Sequence, residues 1–220
     1  MAGLFITFEG GDGAGKSTQV ELLAAALRKR GLEVVTTREP GGTELGVLLR
    51  EALLHGGEVA PRAEALLFAA DRAQHVAAKI VPAMQRGALV ISDRYIDSSL
   101  AYQGAARDLD MEQVREISLW AVAGLLPQLT VLLDVPVASG FERVGGEHDR
   151  MEAAGVAFHE RVREGFLQLA ADEPERFMVL DGRAPIADIA AKVWAAVEPL
   201  LENAELSRSL AAPGGESGCP

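Results

Sequence analysis

A length of 220 residues, 49% of them hydrophobic and 24% charged, suits one globular domain with a large core. The formal net charge of -11 excludes a general binder of nucleic acid, which carries a basic surface, but leaves room for a few arginines gathered in one cleft. No apolar run is long enough to span a bilayer, Met1–Phe5 lacks the basic start of an export signal, and the single cysteine, Cys219, rules out a disulfide framework within the chain. A cytoplasmic protein with no membrane partner is therefore expected.

Short apolar runs alternate along the chain with longer amphipathic segments. Leu4–Glu9, Glu33–Thr37, Leu89–Asp93, Thr130–Val135 and Phe177–Asp181 read as strands. Lys16–Arg30, Glu44–Leu54, Arg62–Gln85, Met111–Leu126, Glu152–Asp172 and Ile186–Leu201 read as helices, with Pro82 expected to kink the third. Such alternation predicts a three-layer α/β/α sandwich on a parallel sheet, one domain over residues 1–201. The stretch 202–220, rich in Gly, Ser, Pro and Ala, is expected to be a disordered tail. Trp120 and Trp194 sit in amphipathic helices and are expected in the core. The four histidines show no metal-ligand spacing and read as surface or helix residues.

The strongest local signal follows the first strand. Gly10-Gly11-Asp12-Gly13-Ala14-Gly15-Lys16-Ser17, with Thr18 after it, fits G-x-x-x-x-G-K-[ST] at every fixed position and opens a helix. Glycines let successive N–H groups point at phosphate oxygens, and the helix start adds partial positive charge. Lys16 would reach the β- and γ-phosphates of a bound nucleoside triphosphate, and Ser17 would hold Mg²⁺. No lysine begins an Asn-Lys-x-Asp guanine reader, so a GTPase switch is disfavoured; a small-molecule kinase or a motor-type ATPase remains.

Further along, Arg38-Glu39-Pro40-Gly41-Gly42-Thr43 closes the second strand with an exposed turn. Phe68 and Arg72 lie four apart on one helical face, where a ring could stack on a base and a guanidinium could donate to its carbonyl; core packing would give the same spacing. The third strand ends in Asp93-Arg94, at the sheet edge where open α/β folds bind ligands. Asp93 could take Mg²⁺ through water, and Arg94 could neutralise charge between donor and acceptor phosphates, although a strand-end salt bridge would look alike. Ser98-Ser99-Leu100-Ala101-Tyr102-Gln103-Gly104 then offers hydroxyls, a phenol and an amide at near-helical spacing.

Taken together, Gly10–Thr18, Arg38–Thr43, Leu66–Arg72, Asp93–Gly104 and Asp149-Arg150-Met151-Glu152 resemble bacterial thymidylate kinases, in that family's order, from about Leu4 to about Leu201. The resemblance implies a P-loop nucleoside-monophosphate kinase fold with a five-stranded parallel sheet, a short lid over about 141–152, and a homodimer. It implies the reaction ATP + dTMP → ADP + dTDP with Mg²⁺. Carried over residue by residue, Asp12 contacts the acceptor sugar, Arg38 the acceptor phosphate, Phe68 and Arg72 the base, and Arg94 the transferring phosphoryl. Ser99 and Gln103 lie near the base, Tyr102 near the 2′ carbon, and Gly182-Arg183-Ala184 near adenine. Some members carry an arginine in the phosphate loop. This chain has Gly13 there, so the resemblance moves the catalytic arginine to the lid, where Arg143 and Arg150 are the candidates. A kinase for another nucleoside monophosphate and an ATP-sensing module without transfer are the competing readings.

Overall fold

The structure is a computed structural model that describes residues 3–107, 109–143 and 149–211, with side chains described only as far as residue 202. Five strands form one parallel sheet in the order β2-β3-β1-β4-β5. They are β1 (Phe5–Glu9), β2 (Val34–Arg38), β3 (Leu89–Asp93), β4 (Leu129–Asp134) and β5 (Phe177–Asp181). The strands expected from the apolar runs are all present, each within one residue at either end. Strand periodicity divides β1 cleanly. Ile6 and Phe8 face a core shared with Val20, Leu23 and Leu27 of α1 (Lys16–Lys29) and with Ile189, Val193 and Val197 of α9 (Ile186–Ala211). Phe5, Thr7 and Glu9 face the opposite layer. There Phe5 meets Tyr95 edge-on at 4.9 Å, and Thr7 shares a 3.0 Å hydroxyl contact with Thr130. Each large side chain buried this way contributes about 1.5–3 kcal/mol.

On that second layer lie α2 (Glu44–Leu54), α3 (Pro61–His75) and α4 (Val81–Gln85). The single helix expected over Arg62–Gln85 is interrupted by a π turn at Val76–Ile80. Pro82 lacks the N–H the ladder needs and its ring crowds the preceding turn, so the widened turn just before it absorbs the misfit. After β3 come α5 (Ile96–Ser99), continued by a π turn through Ala105, and α6 (Met111–Ala121). Helix α6 stops short of the expected Leu126 because Ala123 and Gly124 turn left-handed, at φ 50° and 75°. α7 (Val137–Arg143) and α8 (Val156–Asp172) come before and after the segment expected to form a lid; Gly155, at φ 90°, splits the expected helix Glu152–Asp172.

Two expectations fail. Trp120 is 84% exposed rather than in the core, because it projects from the outer face of α6. Trp194 does pack beside the core, with the Arg30 guanidinium 4.5 Å over its ring. His75 and His159 lie in helices, as expected, on α3 and α8, and both are buried and held by hydrogen bonds. The tail does not begin at Glu202, since α9 continues to Ala211; residues 212–220 lie outside the described residues.

Candidate active site

Parallel register sets the site. Phe8 and Arg38 both pair with Asp93, so β1, β2 and β3 end side by side, and the loops that follow them converge. The phosphate loop leaves β1 through Gly10 at φ 133°, where a Cβ would run into the carbonyl oxygen of Leu133. At Gly13, φ 72°, a Cβ would strike the carbonyl of Gly140 in α7. This contact gives a physical reason for glycine at position 13: any side chain would push α7 away. Helix α1 then begins at Lys16 with no acidic residue in its first turn, so its positive end is free for an anion.

Lys16 is buried and donates from Nζ to the carbonyls of Gly10 and Gly11, at 3.1 and 2.8 Å. Burial, aided by the charge of Arg94, lowers its ammonium below the ordinary value. Such a desolvated cation gains most when an anion arrives. Ser17 Oγ donates to Asp93 Oδ2 at 2.8 Å. Two hard oxygens beside a phosphate loop fit Mg²⁺, which takes a few protein oxygens and keeps water and phosphate for the rest.

Arg94 stands at the centre. Its backbone takes φ 69°, a costly conformation for a non-glycine residue. Three bonds hold it: Arg94 N–H to Phe8 O at 2.9 Å, Ser92 Oγ to Arg94 O at 2.8 Å, and Tyr95 N–H to Glu9 Oε1 at 2.8 Å. The guanidinium donates to Asp12 Oδ1 at 2.6 Å, to Gly10 O at 3.1 Å, to Ser98 Oγ at 3.1 Å and to Tyr102 Oη at 3.2 Å. Burial opposes its charge, but Tyr102, Asp12, Asp93 and Glu9 outweigh burial and hold the group above its ordinary range. Asp12 shows the converse: burial opposes ionisation, Arg94 and Lys16 outweigh it, and the carboxyl sits below its usual value. Glu9 is different. Burial first, then the charge of Asp97, pushes its carboxyl up to about 8.

A cleft of about 660 Å³ runs over this loop, lined by Lys16, Ser17, Asp93, Arg94, Arg38 and Arg143 among others. A second pocket opens off it past Asp12 and Arg94, lined by Phe68, Arg72, Ser99, Tyr102 and Gln103. Arg72 is fully buried. It donates from Nε to Glu39 Oε2 at 2.7 Å, and from Nη2 to Tyr95 O at 3.1 Å and Ser99 Oγ at 3.0 Å. Its Nη1 has no acceptor among the described residues. A buried donor left unpaired costs about 1–3 kcal/mol, which a ligand carbonyl in this pocket would recover.

Two residues expected at the site lie apart from the phosphate cleft. Arg150 donates from Nε to Leu53 O at 2.8 Å and pairs through Nη1 with Glu64 at 2.7 Å, and it lines neither pocket. Arg183 turns back onto Asp181 at 2.9 Å, exposed. Arg143 does reach the loop, donating from Nη1 to Gly182 O at 3.1 Å and Gly13 O at 3.4 Å. Residues 144–148, expected to belong to a lid, lie outside the described residues.

The structure adds residues that sequence reasoning missed. Arg50 of α2 lines both pockets and donates from Nη1 to Pro40 O at 3.0 Å. Burial, then the charge of nearby Arg38, lowers its guanidinium. Two like charges this close call for an anion between them. Glu39 is the buried anchor beneath Arg72, and it also takes His75 Nδ1 at 2.8 Å. A lone arginine in the leucine-rich run of α2 was the only sequence signal for Arg50.

A glycine-wrapped phosphate loop, a Ser–Asp oxygen pair and a second pocket meeting at one arginine define a P-loop kinase with separate donor and acceptor sites. The family model described as thymidylate kinase matches residues 8–193. Thymidylate kinase of Clavibacter michiganensis subsp. michiganensis is 56% identical over 205 residues, covering 91% of this chain and 97% of that protein. Thymidylate kinase of Deinococcus radiodurans is 52% identical over 198 residues, covering 89% and 96%. The crystal structure of thymidylate kinase from Ehrlichia chaffeensis superposes with a TM-score of 0.75 at 32% identity, covering 90% of this chain and all of that one. The chain belongs to the thymidylate kinase family, enzymes that phosphorylate dTMP with ATP as donor.

Proposed function

We propose that the cleft binds Mg²⁺-ATP along the phosphate loop and dTMP in the second pocket, and that Arg94 bridges the two phosphates as the γ-phosphoryl moves. The observation that carries this reading is the position of Arg94: one guanidinium contacts the phosphate-loop carbonyl of Gly10 and the Asp12 carboxylate, and it lines both pockets. Lys16 exchanges its two carbonyl acceptors for donor phosphate oxygens. Arg38 and Arg50 take the acceptor phosphate. Asp12, kept ionised and tied to Arg94 and Tyr102, orients the guanidinium and the acceptor sugar. The acceptor phosphate is already an anion, so the transfer needs alignment and charge neutralisation more than a strong base. Ser17 and Asp93 would hold Mg²⁺, which neutralises charge on the transferring group when bound. Arg143 closes on the γ-phosphate from the lid. Purified chain with ATP, Mg²⁺ and dTMP tests the reading: dTDP and ADP should form in equal amounts, and ATP consumption without dTDP would contradict it.

In the second pocket, Phe68 stacks on thymine while Arg72 Nη1 donates to its 4-carbonyl. Arg72→Ala is expected to raise the KM for dTMP by about tenfold or more, with less than a threefold change in the KM for ATP, because one buried charged hydrogen bond is lost. An unchanged dTMP dependence would make Arg72 structural only.

The homodimer is proposed from a second observation. Leu48 of α2 is 68% exposed, and Leu45 and Val47 of α2, Leu66 of α3 and Trp120 of α6 are also exposed, on helices that pack together. An apolar face of this kind suits a second copy. Sedimentation should give about twice the 23.3 kDa chain mass, and Trp120→Lys should weaken the association; a 23.3 kDa species at micromolar concentration would contradict it. A cytoplasmic location is likewise proposed. The sequence has one cysteine, and no helix among the described residues is long and apolar enough to cross a membrane. Cell fractionation tests it.

A further inference from the structure

Gln103 lines the acceptor pocket, yet an amide can turn either its oxygen or its NH₂ toward a base, and the two have opposite meanings. Its neighbour decides between them. Glu64, on the first turn of α3, is fully buried and accepts from Gln103 Nε2 at 3.0 Å. The same carboxylate pairs with Arg107 Nη2 at 3.2 Å and with Arg150 Nη1 at 2.7 Å. A carboxylate between two guanidiniums can only accept, and only the nitrogen of an amide can donate to it. Gln103 Oε1 is therefore the atom left for the pocket, where Arg72 Nη1 supplies an unpaired donor.

We propose that Glu64 is a positioning residue for acceptor specificity: by holding the Gln103 amide in one orientation, it makes the pocket accept bases with a ring N–H beside a carbonyl. The inference rests on reading this pocket as the thymine site. An imide edge, as in thymine, offers an N–H to Gln103 Oε1 and a carbonyl to Arg72. The edge of a 4-aminopyrimidine such as cytosine reverses both, placing a bare nitrogen against an oxygen and an amino group against a guanidinium. Neither a turned amide nor a missing one would keep the first half of this discrimination. The arginines on Glu64 strengthen the device, because they keep the carboxylate in place and leave it no role but acceptor.

The test compares kcat/KM for dTMP and dCMP at saturating ATP. Glu64→Gln leaves Arg107 and Arg150 an oxygen to bind and offers Gln103 an NH₂, so the Gln103 amide should turn over. The preference for dTMP is expected to fall about tenfold or more, mainly through a higher KM for dTMP, with the KM for ATP within about twofold. Gln103→Met, which leaves Glu64 and its arginines intact, should compress the preference by a similar factor. Adding Glu64→Gln to it should change the ratio no further. A purely structural role for Glu64 would lower both acceptors in parallel. An unchanged ratio in folded Glu64→Gln overturns the inference. If that variant does not fold, an unchanged ratio in Gln103→Met overturns it instead. A wild-type chain that failed to prefer dTMP would overturn the thymine reading and the inference together, whereas an unchanged ratio in a dTMP-preferring enzyme overturns the inference alone.

Discussion

Arg94→Ala is expected to lower kcat for dTMP phosphorylation by roughly a thousandfold or more, the loss typical of a transition-state cation in phosphoryl transfer. The geometry explains why no neighbour can substitute. Arg94 alone contacts Gly10, Asp12, Ser98 and Tyr102 from one planar fork, at 2.6–3.2 Å. Removing it also leaves Asp12 without its strongest counter-charge, so the carboxylate would repel the incoming phosphates. The backbone is no obstacle to the variant. Position 94 already bears φ 69°, and alanine there suffers the strain that arginine suffers. Arg94→Lys should recover only a small part of the loss, since an ammonium keeps the charge without the fork. Steady-state kinetics beside a thermal melt checks this. A variant within tenfold of wild-type turnover would remove Arg94 from the chemistry.

Lys16→Ala is expected to cost about a hundredfold or more in kcat, with the fold retained. In the structure, Lys16 spends its donors on the carbonyls of Gly10 and Gly11, inside the curve of the phosphate loop. Those bonds hold the ammonium where phosphate oxygens will lie, and burial makes the free charge costly until they arrive. The bound anion is thus favoured twice, by attraction and by relief of desolvation. In the proposed mechanism the lysine contacts the charge that develops in transfer, so the loss should fall on kcat more than on the KM for dTMP. Near-normal kcat with a raised KM for ATP alone would assign Lys16 to binding only.

Features carried by local spacing were legible in the sequence. The phosphate loop needs glycines at fixed offsets between a strand and a helix, and the chain supplies them. Phe68 and Arg72 share a pocket because residues four apart share a helical face. Asp93-Arg94 ends a strand, and strand ends line ligand clefts in such sheets. What stayed hidden depends on how distant elements meet. Arg50 and Glu64 come from the second layer, and nothing near them in sequence marks the cleft that Arg50 lines or the Gln103 amide that Glu64 holds. Glu39 reads as part of a turn, but it is the buried anchor for Arg72 and His75. Arg150 looks like a lid arginine in sequence, whereas α3 supplies the buried carboxylate that draws it away from the phosphate cleft. Trp120 fits an amphipathic pattern, which cannot say whether its face meets this chain's core or another surface.

The most direct measurement is a crystal structure of the chain with dTMP and a non-hydrolysable ATP analogue bound together. The expected complex has the triphosphate along Gly10–Thr18, thymine between Phe68 and Arg72 with its 4-carbonyl on Nη1, and the Arg94 guanidinium within hydrogen-bond reach of both nucleotides' phosphates. Thymidylate bound outside that pocket, or Arg94 turned away from both phosphates, would contradict it.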